Sequence, residues 1–189
     1  MNNLQNIPNI YPRVRVTKFS RNERGLLQTL QTNTTQLCRE LIDPSYIKKS
    51  FKKFTNGLLI NDDETGKRLG FVIWKESLKS KMNTSGDSCE YKHMYVLLVC
   101  GIKTEIKSGT IIMYELEKYC ISNNINMIEL EPANDDLATY YAKFGYTITL
   151  QTMQPIRQTF MGKIVVPIAI QKSNKTRKQN RHRHLNSDV

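Results

Sequence analysis

No run of this sequence approaches the roughly 20 uninterrupted apolar residues that span a bilayer, so no membrane helix and no membrane partner are expected. The opening residues, MNNLQNIPNIYPR, lack the apolar segment of a secretory signal. The expectation is therefore an intracellular protein, cytoplasmic or nuclear and not secreted. Histidine is scarce, at three residues, and two of them, His182 and His184, sit in a basic RHRH stretch where they make a poor metal site. The four cysteines, Cys38, Cys89, Cys100 and Cys120, show no CxxC spacing. That argues against a zinc cluster and requires no disulfide, so all four read as free thiols and no metal is expected. Thiol catalysis at Cys100 lacks a supporting His or Asn, and this residue reads as a small buried hydrophobe.

What is present fits one folded domain. The 189 residues are 39% hydrophobic and 24% charged, ordinary values for a globular chain. The net charge of +11 favours anionic partners, but its distribution matters more. Residues 172–189 hold six Lys or Arg against one Asp. This tail has too few apolar groups to repay ordering and is expected to be disordered when free. The Asn-rich residues 1–11 read as a flexible arm, which leaves 12–171 as the folded domain.

Along that domain the apolar period changes repeatedly. Val14 and Val16 alternate with Arg13, Arg15 and Thr17, as in a half-buried strand. Leu26, Leu27, Leu30, Leu37 and Leu41 recur at helical spacing, and Asp43-Pro44 suits the start of a further helix through Phe54. GLLIND and RLGFVIWKES form an expected hairpin, residues 78–89 read as an irregular loop, and EYKHMYVLLVC resumes as a strand. A helix follows with Ile112, Leu116, Tyr119 and Cys120 on one stripe. Then come the strand INMIELE, a helix from Asp135 to Phe144 stopped by Gly145, the strand TITLQT, and a last apolar run, KIVVPIAIQ. The order predicts an α/β fold with a mixed, largely antiparallel sheet flanked by helices.

Two segments carry chemistry. In ELEPANDDLATYYAKFGY a strand ends near Asn134, Tyr141 lies seven positions on, and Gly145-Tyr146 closes the helix. Upstream, MYVLLVCGIKTEIKSGTIIMYELEKYC reads as strand, loop and helix, with Val99 near the strand end and Gly109 at the helix start. Together these resemble the acetyl-CoA dependent N-acetyltransferases of the GNAT superfamily. The likeness spans residues 12–171 by order of elements, and its quotable motifs lie within 95–146. Of the family's glycine-rich phosphate loop, only Gly109 agrees.

The resemblance implies a GNAT-like sheet whose two central strands splay apart to admit the acetyl-pantetheine arm. The backbone of Leu98 and Val99 would pair with pantetheine. The diphosphate would meet the next helix N-terminus at Gly109, where Lys103, Lys107, Ser108 and Thr110 add charge or hydroxyls. Asn134 would hold a pantetheine amide, cap the following helix, or do both. Tyr141 is implied as general acid, because a phenol near pKa 10 keeps its proton at neutral pH and can yield it to a thiolate. Glu129 occupies the position of a catalytic glutamate in some members. Glu131 on the same strand face, Glu90 and His93 are further candidates for the base.

The implied activity is acetyl transfer to a primary amine, whether a protein N-terminus, a lysine or a small amine. A polyamine acceptor would require a locally acidic site, since a +11 chain repels it. The alternative is a noncatalytic module of the same fold, anchored to nucleic acid or another polyanion by residues 172–189.

Overall fold

The computed structural model describes residues 13–23, 30, 38, 42–82, 88–102, 107–152 and 158–166, with only the backbone at Met82, Gln151 and Thr152. The N-terminal arm, Lys103 and the basic tail lie outside the described residues.

Seven strands form one sheet: β1 (Val14–Ser20), β2 (Asn56–Asp62), β3 (Arg68–Met82), β4 (Ser88–Gly101), β5 (Met127–Leu130), β6 (Thr147–Thr152) and β7 (Gln158–Ile164). Their order across the sheet is β1-β2-β3-β4-β5-β7-β6. Every neighbouring pair is antiparallel except β4 with β5, which is parallel. Among the described residues the helices with defined bounds are α1 (Pro44–Lys53), α2 (Ser108–Ser122) and α3 (Asp135–Ala142).

Local chemistry sets these boundaries. Asp43 caps α1, its carboxylate accepting from the amides of Ser45 and Tyr46, with Pro44 in the first turn. Helix α2 ends at Asn123, and Asn124 takes the left-handed conformation (φ 54°) that stops it. Gly145, at φ +82°, performs the same turn after α3.

The sheet is buried on both faces. Under α2 and α3 lie Trp74, Met94, Ile112, Met113, Leu116 and Ile128, all fully buried. Under α1 lie Phe19, Phe51, Phe54, Phe71, Ile73 and Leu98, with the rings of Phe19, Phe51 and Phe54 meeting edge to face. Each such side chain contributes about 1.5–3 kcal/mol through burial, so both layers anchor β4, which runs between them.

Three expectations need correction. Residues 78–89 are not a loop throughout: the β3–β4 hairpin continues through Leu78↔Lys92 to Met82↔Ser88. This extension projects where neither face is covered, as the 64% exposure of Leu78 shows, so it carries no apolar alternation to read. The last strand among the described residues is β7 at Gln158–Ile164, which starts ahead of the run KIVVPIAIQ and leaves out Val165 and Val166, while 167–171 lie outside the described residues; it pairs with both β5 and β6 through Met161 and Gly162. Cys38 and Cys100 are not free but joined in a disulfide across a sequence separation of 62. The layer under α1 brings the two together. Cys89 and Cys120 are free thiols.

Candidate functional site: the cleft between β4 and β5

Strands β4 and β5 are hydrogen-bonded neighbours only from His93↔Met127 to Val96↔Leu130. Two local features end the pairing. On β4, Ile73 faces Leu98 while Trp74 faces Val96, so Leu97 is an extra residue, and such a bulge bends its strand. On β5, the chain reaches Pro132 two residues after the last pair, and proline has no amide to extend a ladder. Beyond Val96 and Leu130 a cavity of about 410 Å³ opens, walled by Leu97, Leu98 and Val99 on one side and by Glu131 to Asn134 on the other. The outer strand edge of β4 there faces a space instead of a partner strand.

Helix α3 crosses this cavity and carries Tyr141 into it. The residue is 7% exposed, and no described residue hydrogen-bonds its hydroxyl. Burial, with a contribution from Tyr140, raises its pKa well above the ordinary phenol value, so it is fully protonated at neutral pH. Its ring meets Tyr140 at 5.5 Å and Tyr146 at 6.1 Å between centroids. Tyr146 is the instructive neighbour: its hydroxyl is also unpartnered, but it is closed into the core. Asn134 lines the cavity and caps α3, accepting from the Leu137 amide at 2.9 Å.

The carboxylates lie on the α1 side of the strands. Glu129 accepts from His93 Nε2 at 2.7 Å and from Lys79 Nζ at 3.3 Å, and it is not among the residues that wall the cavity. His93 is 2% exposed. Burial, with the Lys79 charge adding to it, lowers its pKa against the opposing pull of Glu129. The imidazole is therefore neutral at pH 7; its Nε2 meets both Glu129 and, at 3.1 Å, Lys79 Nζ, while Nδ1 is buried without a partner among the described residues. Glu131 does wall the cavity, beside Tyr46 of α1. The pKa of Tyr95 on β4 is raised by burial first, then by Tyr46 and the charges of Glu131 and Glu129. Glu90 lies further back on β4, in the hairpin opposite Ser80.

At the other end, β4 leads through Gly101 and Ile102 to α2. Ser108 is buried, and its hydroxyl donates to the Ile102 carbonyl at 2.9 Å, so it closes the turn instead of facing outward. Lys107 stands at the N-cap without a side-chain capping bond. The Thr110 amide returns to the Lys107 carbonyl, and among the described residues no side chain caps the Ser108 and Gly109 amides. A side chain on Gly109 would meet the Tyr140 hydroxyl at 2.8 Å, so glycine here lets Tyr140 of α3 lie close against the start of α2. Bare amides, the helix dipole and an exposed Lys107 suit an anion, and the residues present fit a diphosphate.

The structure thus gathers Leu98, Val99, Asn134 and Tyr141 around one cavity, sets Lys107, Gly109 and Thr110 at the α2 N-terminus, and places Glu129 to the side with His93. Sequence reasoning did not find Tyr46, Tyr95, Gln158 and Thr159. Tyr46 reads as one more apolar helix position and Tyr95 as a strand alternation; only their convergence on Glu131 distinguishes them.

No protein-family profile and no curated protein matches the chain. Solved structures do. An aminoglycoside 6'-N-acetyltransferase from Enterococcus faecium is 14% identical, with 81% of this chain and 98% of that one covered at a TM-score of 0.53. The Escherichia coli GNAT family N-acetyltransferase YhbS, solved in complex with CoA, is 11% identical, with 82% of each chain covered and a TM-score of 0.58. The catalytic domain of the Tetrahymena GCN5 histone acetyltransferase, in complex with coenzyme A, is 15% identical over 82% of this chain and 94% of that one, with a TM-score of 0.53. Among the described residues no helix is long and apolar enough to cross a membrane, and no group of His, Cys, Asp and Glu could hold a metal ion. With its parted central strands and order of elements, the chain has the fold of the GNAT acetyltransferases.

Proposed function

We propose that the protein is an acetyl-CoA dependent N-acetyltransferase that acetylates a primary amine by direct attack. The observation that carries this reading is the parting of β4 from β5 around a cavity that receives a buried phenol without a hydrogen-bond partner among the described residues. Two of the similar structures hold coenzyme A, and the corresponding elements here fit it. Leu98 and Val99 offer unused backbone groups to a pantetheine arm. The amides of Ser108 and Gly109, with Lys107, Thr110 and Lys103, take the diphosphate.

When bound, acetyl-CoA supplies a thioester carbonyl, and the residues of the chain manage the protons. A β4 amide beside Val99 steadies the carbonyl oxygen as negative charge develops there. Glu129, backed by neutral His93, takes the amine proton through a water as the C–N bond forms. Tyr141 gives its proton to the departing sulfur as the C–S bond breaks, and solvent afterwards returns one proton to Tyr141 and removes one from Glu129. Asn134 holds the start of α3, and therefore Tyr141, in place.

Calorimetry with acetyl-CoA, together with turnover of the wild type and Tyr141→Phe, tests the reading. Saturable binding by both proteins, with turnover lost only in the variant, is the expected result. Absence of binding at millimolar cofactor would refute it in favour of a noncatalytic module; in that case residues 172–189 would be the element that engages a polyanion.

A further inference from the structure

Although the chain carries a net charge of +11, the described residues that line the β4–β5 cavity include no lysine, arginine or histidine. They include three carboxylates, Asp43, Glu131 and Asp135. Distance decides between the global and the local charge. Charges more than a Debye length away, about 8 Å at physiological salt, are largely screened, whereas a carboxylate in contact with an ammonium inside a cavity is screened much less and attracts it strongly. A ligand inside the cavity therefore responds to its carboxylates and not to the net charge.

The three acids are not equivalent. Asp43 spends its Oδ1 on the Ser45 and Tyr46 amides at the start of α1, and Asp135 sits in the first turn of α3. Glu131 follows the last β4–β5 pair, at the throat where the strands part, with the phenols of Tyr46 and Tyr95 close enough to respond to its charge. One nearby cation, Lys79, is drawn to Glu129 at 3.3 Å. A carboxylate that shares a cavity wall with a phenol, as Glu131 does with Tyr46, is a receptor for an alkylammonium group. A second, independent feature indicates a polar ligand in the same cavity: Tyr141 is more than nine-tenths buried, walls it, and has no hydrogen bond to any described residue.

We infer that the acceptor is a primary amine with a second ammonium group nearby, and that Glu131, on the cavity wall with Tyr46, holds that ammonium while the neutral amine reacts. This rests on the acetyltransferase reading and assigns Glu131 as the residue that determines specificity. A free polyamine and a lysine flanked by basic residues in a peptide share this chemistry.

The test measures initial rates of the full chain with acetyl-CoA and cadaverine, pentylamine or aminovalerate, which present a second ammonium, no second charge and a carboxylate at similar reach. We expect kcat/KM to favour cadaverine over pentylamine by about tenfold or more, as a charge-assisted contact would, with aminovalerate poorest. Glu131→Gln should abolish the preference by raising KM for cadaverine to the value for pentylamine. Equal use of pentylamine or aminovalerate, or a preference that survives Glu131→Gln, overturns the inference while leaving the acetyltransferase reading intact. Cadaverine binding by calorimetry without acetyl-CoA reads the ammonium site separately: weaker binding by Glu131→Gln supports it even if the protein never binds the cofactor, and equal binding overturns it. Ranking a Lys-rich peptide against cadaverine then identifies the source of the amine.

Discussion

Strands β4 and β5 behave in opposite ways along their length. From His93 to Val96 they are joined, and the side chains around them are committed to one another: His93 to Glu129, and Lys163 on the adjoining β7 to Glu117 of α2 at 2.7 Å. Beyond Val96 they part, and the polar groups there, the outer edge of β4 and the Tyr141 hydroxyl, have no commitments to described residues. The joined half shows what this chain needs in order to fold. The parted half keeps hydrogen-bonding capacity in reserve in a buried place, which is costly unless a ligand uses it.

Substitution can break this contrast. The largest effect is expected in the parted half: Tyr141→Phe should lower kcat by about 10²–10⁴, the usual contribution of a positioned proton donor, with little change in denaturation midpoint or acetyl-CoA affinity. In the joined half the penalty should fall on stability instead. Lys163→Met removes an ammonium that bonds both Glu117 and the Phe144 carbonyl, stranding a buried carboxylate. Urea denaturation should show a loss of about 3 kcal/mol, and an unchanged midpoint would mean that Glu117 finds another partner.

A smaller effect is expected from pH. An unfolded histidine takes up its proton near pH 6.5, while burial holds the folded His93 below that value. The folded state therefore resists protonation, and stability is kept above pH 6.5 and lost as pH falls towards and through the folded value. Comparing denaturation midpoints at pH 7.5 and pH 5, His93→Gln should show a shallower decline than the wild type; an identical decline would assign it to other groups. The smallest effect belongs to Tyr146→Phe. Removing a buried hydroxyl that has no partner should shift stability by less than about 1 kcal/mol and leave kcat alone. A kinetic loss as large as that of Tyr141→Phe would erase the distinction between the two phenols.

How much of this could be read from the chain follows from how far each feature reaches. Asn134, Tyr141 and Gly145 form one local unit of strand end, cap, helix and stop, so their spacing was legible, as was the Asp43-Pro44 start of α1. The parting of the strands came through likeness to a family and not from periodicity. The β3–β4 extension was hidden because a strand exposed on both faces has no alternation. The Cys38–Cys100 link and the meeting of Tyr46, Tyr95 and Glu131 depend on residues dozens of positions apart, whose encounter is set by the sheet order. The last strand was misplaced because a nearby apolar run, VVPIAI, outweighed the more polar QTFMGKI, whose burial comes from having neighbours on both edges.

The lone unmatched residue at Leu97 has one more consequence. Before it, the even-numbered positions Met94 and Val96 look towards α2; after it, Leu98 and Cys100 look towards α1, and Val99 has changed sides. The strand thus undergoes a half-period phase slip at its midpoint. Parity assigned from the hairpin end is inverted at the cleft, and a one-residue deletion there would exchange the two walls along the four positions Leu98 to Gly101 without altering a single other side chain.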